Sequence, residues 1–256
     1  MSYLLTSVQE QTNSTLALVL RSLDYGESDR IVTLLTEKFG KIGVIARGAR
    51  RSRKRFLGTL EPFLLLEIEV RFGRGELAGL EQARVLRAFP RILTDLTKIE
   101  AAGRALKLVM VGTPLAQRDS RLFSTVVMLL QRLEEAQDGV EELALSSQVR
   151  VITLLGFAPC FDACGHCGKR PQGNRSAFFD PRSGHLVCQS CGGASVYLSG
   201  AARRRLIRAS GPEWHELKTP WSPEQQKEAT TAVTLFIKHH IDHGFCNGGL
   251  DAELSR

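Results

Sequence analysis

From residue 15 onward the apolar positions fall first into short runs between turn residues and later recur every third or fourth residue, and that change of pattern divides the chain. Thr15–Leu20, Ile31–Leu35, Lys41–Ala46, Phe63–Arg71 and Glu76–Leu86 are short runs rich in branched residues, separated by Gly, Asp or Pro. Such runs predict strands. In the fourth, Glu67, Glu69 and Arg71 alternate with Ile68 and Val70, the pattern of a sheet with one wet face. After Phe89-Pro90, Leu96, Ile99, Gly103, Leu106 and Met110 recur at helical spacing, and Leu122, Val126, Leu129, Leu130 and Leu133 repeat it. A third helix is expected from about Ser146 to Leu155, stopping at Gly156, and a fourth through Arg203–Arg208 after Ser199. Ser222-Pro223-Glu224-Gln225 supplies an N-cap, a first-turn proline and a reciprocal glutamine. The stripe of that last helix is Ala229, Val233, Phe236, Ile237, His240 and Ile241.

These elements predict an α+β, multidomain chain. Residues 1–90 form a β-barrel domain, and residues 91–256 an α-helical domain with a small insert at about 160–196. Five strands in about 75 residues fit a closed barrel of the oligonucleotide-binding (OB) type, whose loops and open face carry single strands. An SH3-like barrel or an open meander leaves much the same pattern. At 256 residues and 43% hydrophobic content, the chain is long enough to bury a substantial core. No internal repeat or low-complexity segment interrupts it.

Charge narrows the choice of partners. The formal net charge is +7, from 34 Lys plus Arg against 27 Asp plus Glu, which favours polyanions. In Arg47-Gly-Ala-Arg-Arg-Ser-Arg-Lys-Arg55, six of nine residues are basic and none is acidic, so the segment is a solvated loop. Guanidinium groups pair bidentately with phosphate oxygens, and we expect Arg47, Arg50, Arg51, Arg53, Lys54 and Arg55 to contact a nucleic-acid backbone. Lys38, Lys41, Arg71 and Arg74 are weaker candidates for the same surface. Arg203, Arg204, Arg205 and Arg208 form either a second basic patch or an ordinary wet helix face. No stretch approaches the roughly 18 apolar residues of a membrane span, and Met1–Asn13 lacks the pattern of an export signal, so a cytoplasmic, nucleoid-associated location is expected.

Cys164, Cys167, Cys188 and Cys191 give C-x2-C-x20-C-x2-C, the spacing at which two tight turns deliver four thiolates to one tetrahedral zinc ion. Four sulfurs close the coordination shell, so one structural zinc in a ribbon is expected and metal catalysis is not. In a reducing compartment a disulfide framework is the weaker reading. Gly165, Gly168 and Gly192 are expected to leave room for amides near sulfur. Cys160 and Cys246 are read as structural.

Several smaller features have bland explanations. His239, His240 and His243 cluster at a helix C-terminus, where the dipole favours histidine without any metal. Gly73-Arg-Gly75 suits a hairpin turn better than a phosphate loop. Trp214 and Trp221, beside Pro212 and Pro220, are expected to pin a loop and not to stack on bases.

The order of parts resembles the RecO family of bacterial recombination mediators. The resemblance lies in Leu20-Arg-Ser-Leu-Asp-Tyr-Gly-Glu-Ser-Asp-Arg-Ile31, Leu34-Leu-Thr36, Gly40, Val44-Ile-Ala-Arg-Gly-Ala-Arg50 and Leu60-Glu-Pro-Phe63. It continues through Gly156-Phe-Ala-Pro159, Cys164-Gly-His-Cys167 and Cys188-Gln-Ser-Cys191, as in zinc-bearing members. The N-terminus is extended, and the basic loop carries Arg-Ser-Arg-Lys-Arg where relatives often have a single basic-serine pair. This resemblance implies an OB-fold, a helical C-terminal domain and a non-enzymatic role in DNA repair. It also implies binding of single- and double-stranded DNA, annealing, and action with RecR to load RecA on DNA coated by the single-stranded DNA-binding protein (SSB). The acidic SSB tail, ending in an aromatic residue, is then expected in a groove of the helical domain, with Arg121, Arg132 and Arg203–Arg205 as candidate rims. No P-loop and no acidic two-metal cluster argue for an enzyme, and the signature of a zinc deaminase is missing. A zinc-ribbon RNA-binding or transcription-associated protein is the alternative reading.

Overall fold

The computed structural model describes residues 12–52, 55–73, 75–172, 174–216 and 220–242. Two compact units emerge. The first runs to Phe89 and takes in Pro114–Phe123, and the second holds Pro90–Thr113 and the chain from Ser124 onward.

In the first unit β1 (Thr12–Tyr25), β2 (Asp29–Thr36), β3 (Gly40–Ala46), β4 (Leu64–Arg71) and β5 (Ala78–Ala88) close a barrel in the order β1-β2-β3-β5-β4. A meander would keep chain order. Here β4 returns antiparallel to β1, and β5 meets β3 in parallel at Val44↔Ala78 and Ile45↔Gly79, the connectivity of an OB barrel. Val19, Val32, Leu34, Val44, Leu66, Ile68, Val70 and Leu80 fill its interior. β1 runs well past the expected Leu20, because a bulge between Val19 and Arg21 breaks the two-residue period.

The basic loop after β3 is not simply solvated. Its Ala49, Phe56 and Leu60 are buried in the barrel core, and Ala49 and Arg51 donate backbone bonds to Ala46 and Gly48. Charged side chains thus ride on a loop pinned by apolar anchors. Residues 114–118, inside the range expected to belong to the helical domain, instead run along β3. The Ala116 amide donates to the Lys41 carbonyl at 2.8 Å, and Gly40, at φ 67°, has the Gln117 carbonyl where a side chain would stand.

The helices are α1 (Pro90–Leu93), α2 (Leu96–Gly112), α3 (Ser120–Glu135), α4 (Val140–Leu154), α5 (Gly200–Ser210) and α6 (Pro223–Ile237), the last continued by a π-helical turn over Lys238–Asp242. The expected stripe of α3 is buried throughout. That of α2 is rotated: Leu96 is 69% exposed, and the buried face is Ala101, Ala102, Ala105, Leu106, Leu108 and Val109, small residues that let α4 approach. α4 starts earlier than expected, and its N-cap, Gly139, makes no side-chain cap bond that would have marked the start in the sequence. Ser222 and Gln225 form the anticipated capping box of α6.

Between α4 and α5 lies a four-stranded sheet, ordered β6 (Cys160–Cys164), β8 (His185–Val187), β7 (Ala177–Asp180), β9 (Val196–Leu198). It shares the core of this unit. Phe161 lies 4.9 Å from Phe179, and Phe179 lies 6.3 Å from Phe236 of α6 between ring centroids. Gly184, at φ 71°, leaves the space that the Phe236 ring occupies.

Candidate metal centre and nucleic-acid interface

β6 ends at Cys164, and the first knuckle closes through the Gly168 amide to the Cys164 carbonyl at 2.9 Å. The second is a 3-10 turn, Gln189–Cys191, closed by the Cys191 amide on the Cys188 carbonyl. The four sulfurs lie within 4.8 Å of one another, with Cys167 and Cys188 sulfurs 3.7 Å apart. A zinc tetrahedron with Zn–S of about 2.3 Å has edges of about 3.8 Å, so the cage fits that ion. The Cys188 amide donates to the Cys164 sulfur at 3.4 Å, and with the Cys167 amide it pushes the Cys164 thiol down to about 6. Cys188 is lowered chiefly by the Ser190 hydroxyl. The Cys191 thiol, shared with the sulfurs of Cys188 and Cys167, is pushed up to about 12. A divalent cation would allow all four to ionise together. Gly165 makes room for the His185 side chain, a packing need. Cys160 donates to Asp162 at 3.0 Å, outside the cage, and Cys246 lies outside the described residues.

The basic surface is built differently from its sequence. Arg47, Arg50, Arg51 and Arg55 are exposed; Arg53, Lys54 and Arg74 lie outside the described residues. The β1–β2 hairpin brings acids to the loop. Arg50 approaches Asp24 at 3.5 Å, Arg51 approaches Glu27 at 3.6 Å, and Arg30 bridges Asp24 and Glu61. Asp29 accepts from the Gly48 amide and Ser28, which lowers its pKa and ties the hairpin to the loop. Arg47 and Arg55 make no close ion pair among the described residues, although the Arg47 charge helps to lower the Asp29 pKa, and the Arg55 guanidinium donates to the Arg47 carbonyl at 3.0 Å. Together with Arg71 they line a groove of about 270 Å³, with Ile45 and Leu77 as its apolar floor and Glu81, 3.1 Å from Arg71, at one side.

Two expected members are elsewhere. Lys41 is 9% exposed, buried where residues 114–118 run along β3, and desolvation lowers its pKa. Lys38 bonds to the Ser14 carbonyl and precedes β3, whereas Arg47 follows it, so about 20 Å of strand separates the two.

The arginines of α5 are mostly structural and not a free patch. Arg203, 4% exposed, donates to the carbonyls of Phe161 and Pro171. Arg205 donates to the Pro220 carbonyl and stacks on Trp221; Arg208 bridges Glu213 and Glu216. Only Arg204, bonded to Asn174, stays exposed with its charge unopposed by a carboxylate among the described residues. Trp214 and Trp221 are buried. His240 packs on Phe236 at 4.3 Å and bonds to the Pro181 carbonyl, a core role; His243 lies outside the described residues.

A second cavity lies between α2, α4 and the α6 end, in the helical domain where a groove was expected but with lining residues that the sequence did not single out. It is an apolar groove of about 360 Å³ with Leu108, Val111, Ile237 and Ile241 on its floor and Arg104, Lys107 and Lys238 around it. Arg121 and Arg132 are not among its lining residues; they pair with Asp119 and Glu135.

An OB barrel with a cationic groove, followed by helices carrying a four-cysteine ribbon, defines the class to which this molecule belongs. Residues 11–89 match the family described as recombination protein O, N terminal, and residues 93–246 the corresponding C-terminal family; the chain belongs to the RecO family. It is 37% identical over 229 residues to the DNA repair protein RecO of Anaeromyxobacter sp. strain K, covering 88% of this chain and 89% of that one. Identity to the RecO of Myxococcus xanthus is 36% over 225 residues, covering 88% and 91%. For that of Pelobacter propionicus it is 40% over 233 residues, covering 89% and 91%. Among the described residues, no helix is long and apolar enough to cross a membrane.

Proposed function

We propose that this protein is a non-enzymatic mediator of DNA repair and recombination in the bacterial cytoplasm. It binds single- and double-stranded DNA, anneals complementary strands and, with RecR, lets RecA load onto SSB-coated DNA. Family membership supports the role in repair. The observation that carries the DNA-binding part is the groove lined by Arg47, Arg55 and Arg71 on an OB barrel. Annealing needs no bond chemistry: a cationic surface lowers the repulsion between two polyanions and raises their encounter rate, and base pairing does the rest. One zinc ion in the thiolate cage holds the ribbon and supplies no reaction. The acidic SSB tail fits the groove rimmed by Arg104, Lys107 and Lys238, whose apolar floor suits a terminal aromatic ring.

The test is the salt dependence of DNA affinity in Arg47→Gln/Arg55→Gln. Each lost phosphate contact should flatten the slope of log Kd against log salt by about 0.7 on single strands, across unrelated sequences. An unchanged slope places the DNA elsewhere. Competition between matched DNA and RNA separates this reading from an RNA-binding or transcription-associated protein, since preference for RNA at fixed salt would favour the latter. Lys107→Glu/Lys238→Glu should weaken binding of an acidic peptide ending in Phe; equal affinity would remove the groove from this role.

A further inference from the structure

Between residues 160 and 210 there are eight Lys or Arg and two Asp, so this stretch carries six of the seven net positive charges of the chain. Arg203, Arg205 and Arg208 are used inside the fold. Lys169, Arg170, Arg175, Arg182 and Arg204 are exposed. Bonds from α5 hold the stretch that follows the first knuckle, in which Lys169, Arg170 and Arg175 lie, and Arg204 makes one of those bonds. Arg203 holds the Pro171 carbonyl, next to Arg170, while Arg204 holds the Asn174 side chain, next to Arg175. Gly200 allows the Asn174 carbonyl to approach so closely that a methyl group there would collide with it. Pro171 and Asn174 are thus fastened to the first turns of α5, with Arg170 and Arg175 beside them in the chain. Among the described residues the one carboxylate paired with any of the four is Asp162, 3.5 Å from Arg170. An excess of like charge in one stretch costs stability through repulsion, and what it gives in return is attraction for a polyanion.

We propose that Lys169, Arg170, Arg175 and Arg204 form a second phosphate-binding surface, on the zinc ribbon, that holds a second nucleic-acid strand while the barrel groove holds the first. The inference rests on the strand-annealing reading above. An acidic peptide needs apolar anchors as well as charge, and the apolar groove of this unit is lined by none of the four. A phosphate backbone needs charge alone. With two surfaces on one chain, the second strand is met at the effective concentration of a tethered partner. Zinc then matters to annealing through the ribbon it folds.

The experiment uses the full chain carrying Lys169→Gln, Arg170→Gln and Arg175→Gln, which leaves the Arg204–Asn174 clasp in place. Zinc content and melting temperature report that the ribbon is folded; Arg175→Glu alone serves if the triple variant loses metal. The slope of log Kd against log salt on a long single-stranded oligonucleotide should fall by about 2, from three contacts at about 0.7 each. Annealing of two labelled complementary strands should slow at least tenfold. A zinc-loaded variant with the wild-type slope overturns the surface, and a shallower slope with unchanged annealing overturns its two-strand role. Arg47→Gln/Arg55→Gln runs in parallel. If that variant alone flattens the slope, the ribbon surface fails and the function proposed above stands; if neither variant does, both fail.

Discussion

Replacing Cys188 by Ser removes one corner of the thiolate cage, and the loss should spread along a defined path. A structural zinc site contributes roughly 10–16 kcal/mol in small ribbons, as much as the whole stability of a typical domain, about 5–15 kcal/mol. The ribbon should therefore unfold and not merely soften. Its sheet contributes Phe161, Phe179, Leu186, Val196 and Leu198 to the core, each at most 5% exposed. Phe179 and Gly184 both meet Phe236, so α6 loses part of its packing surface as well. The barrel core contains none of these residues and should keep its protection. Metal content by atomic emission, with hydrogen exchange read peptide by peptide, tests this. We expect metal loss and fast exchange in β7, β8 and α6, with β1–β5 unchanged. Stoichiometric zinc in both Cys164→Ser and Cys188→Ser would refute the assignment of ligands; metal loss with protected β7 and α6 would refute the energetic argument.

Phe56→Ala should destabilise the barrel by about 3–5 kcal/mol in urea unfolding, because the ring is 4% exposed in its core although it sits in the basic loop. Lys41 has a folded pKa below the ordinary lysine value, so the unfolded chain binds its proton more tightly and stability rises as pH climbs through the folded pKa toward about 10.5. Lys41→Met should abolish that rise and leave the DNA salt slope untouched, as measured by melts from pH 7 to 10 and by titration. Asp29 has a lowered pKa from the Gly48 amide and Ser28, so its contribution is present above about pH 4 and lost as pH falls through the folded value. Asp29→Asn should remove that acid-side dependence in unfolding curves and weaken DNA binding by loosening the loop. Gly200→Ala should cost about 1–3 kcal/mol or more by driving a methyl group into the Asn174 carbonyl, seen as a lowered melting temperature.

Much of this molecule was fixed by local pattern. Short runs of branched residues between turn residues marked the five barrel strands, and the capping box at Ser222 marked the start of α6, because strand preference and caps are local properties of the backbone. The cysteine spacing defined the metal cage, since two tight turns are all that four thiolates require of the chain. Charges and faces were decided by tertiary structure. A window of nine residues showed six cations and no acid, yet the β1–β2 hairpin sets Asp24 and Glu27 against Arg50 and Arg51, which leaves Arg47 and Arg55 as the groove cations. Lys41 reads as a polar strand residue and is buried by a segment some 75 residues further on. Arg203 and Arg204 are neighbours in one helix, one buried under a knuckle and the other exposed, while the stripe of α2 turned toward its alanines. Burial and Coulomb interactions depend on distance through space, and residues far apart in sequence set that distance only when the chain has folded.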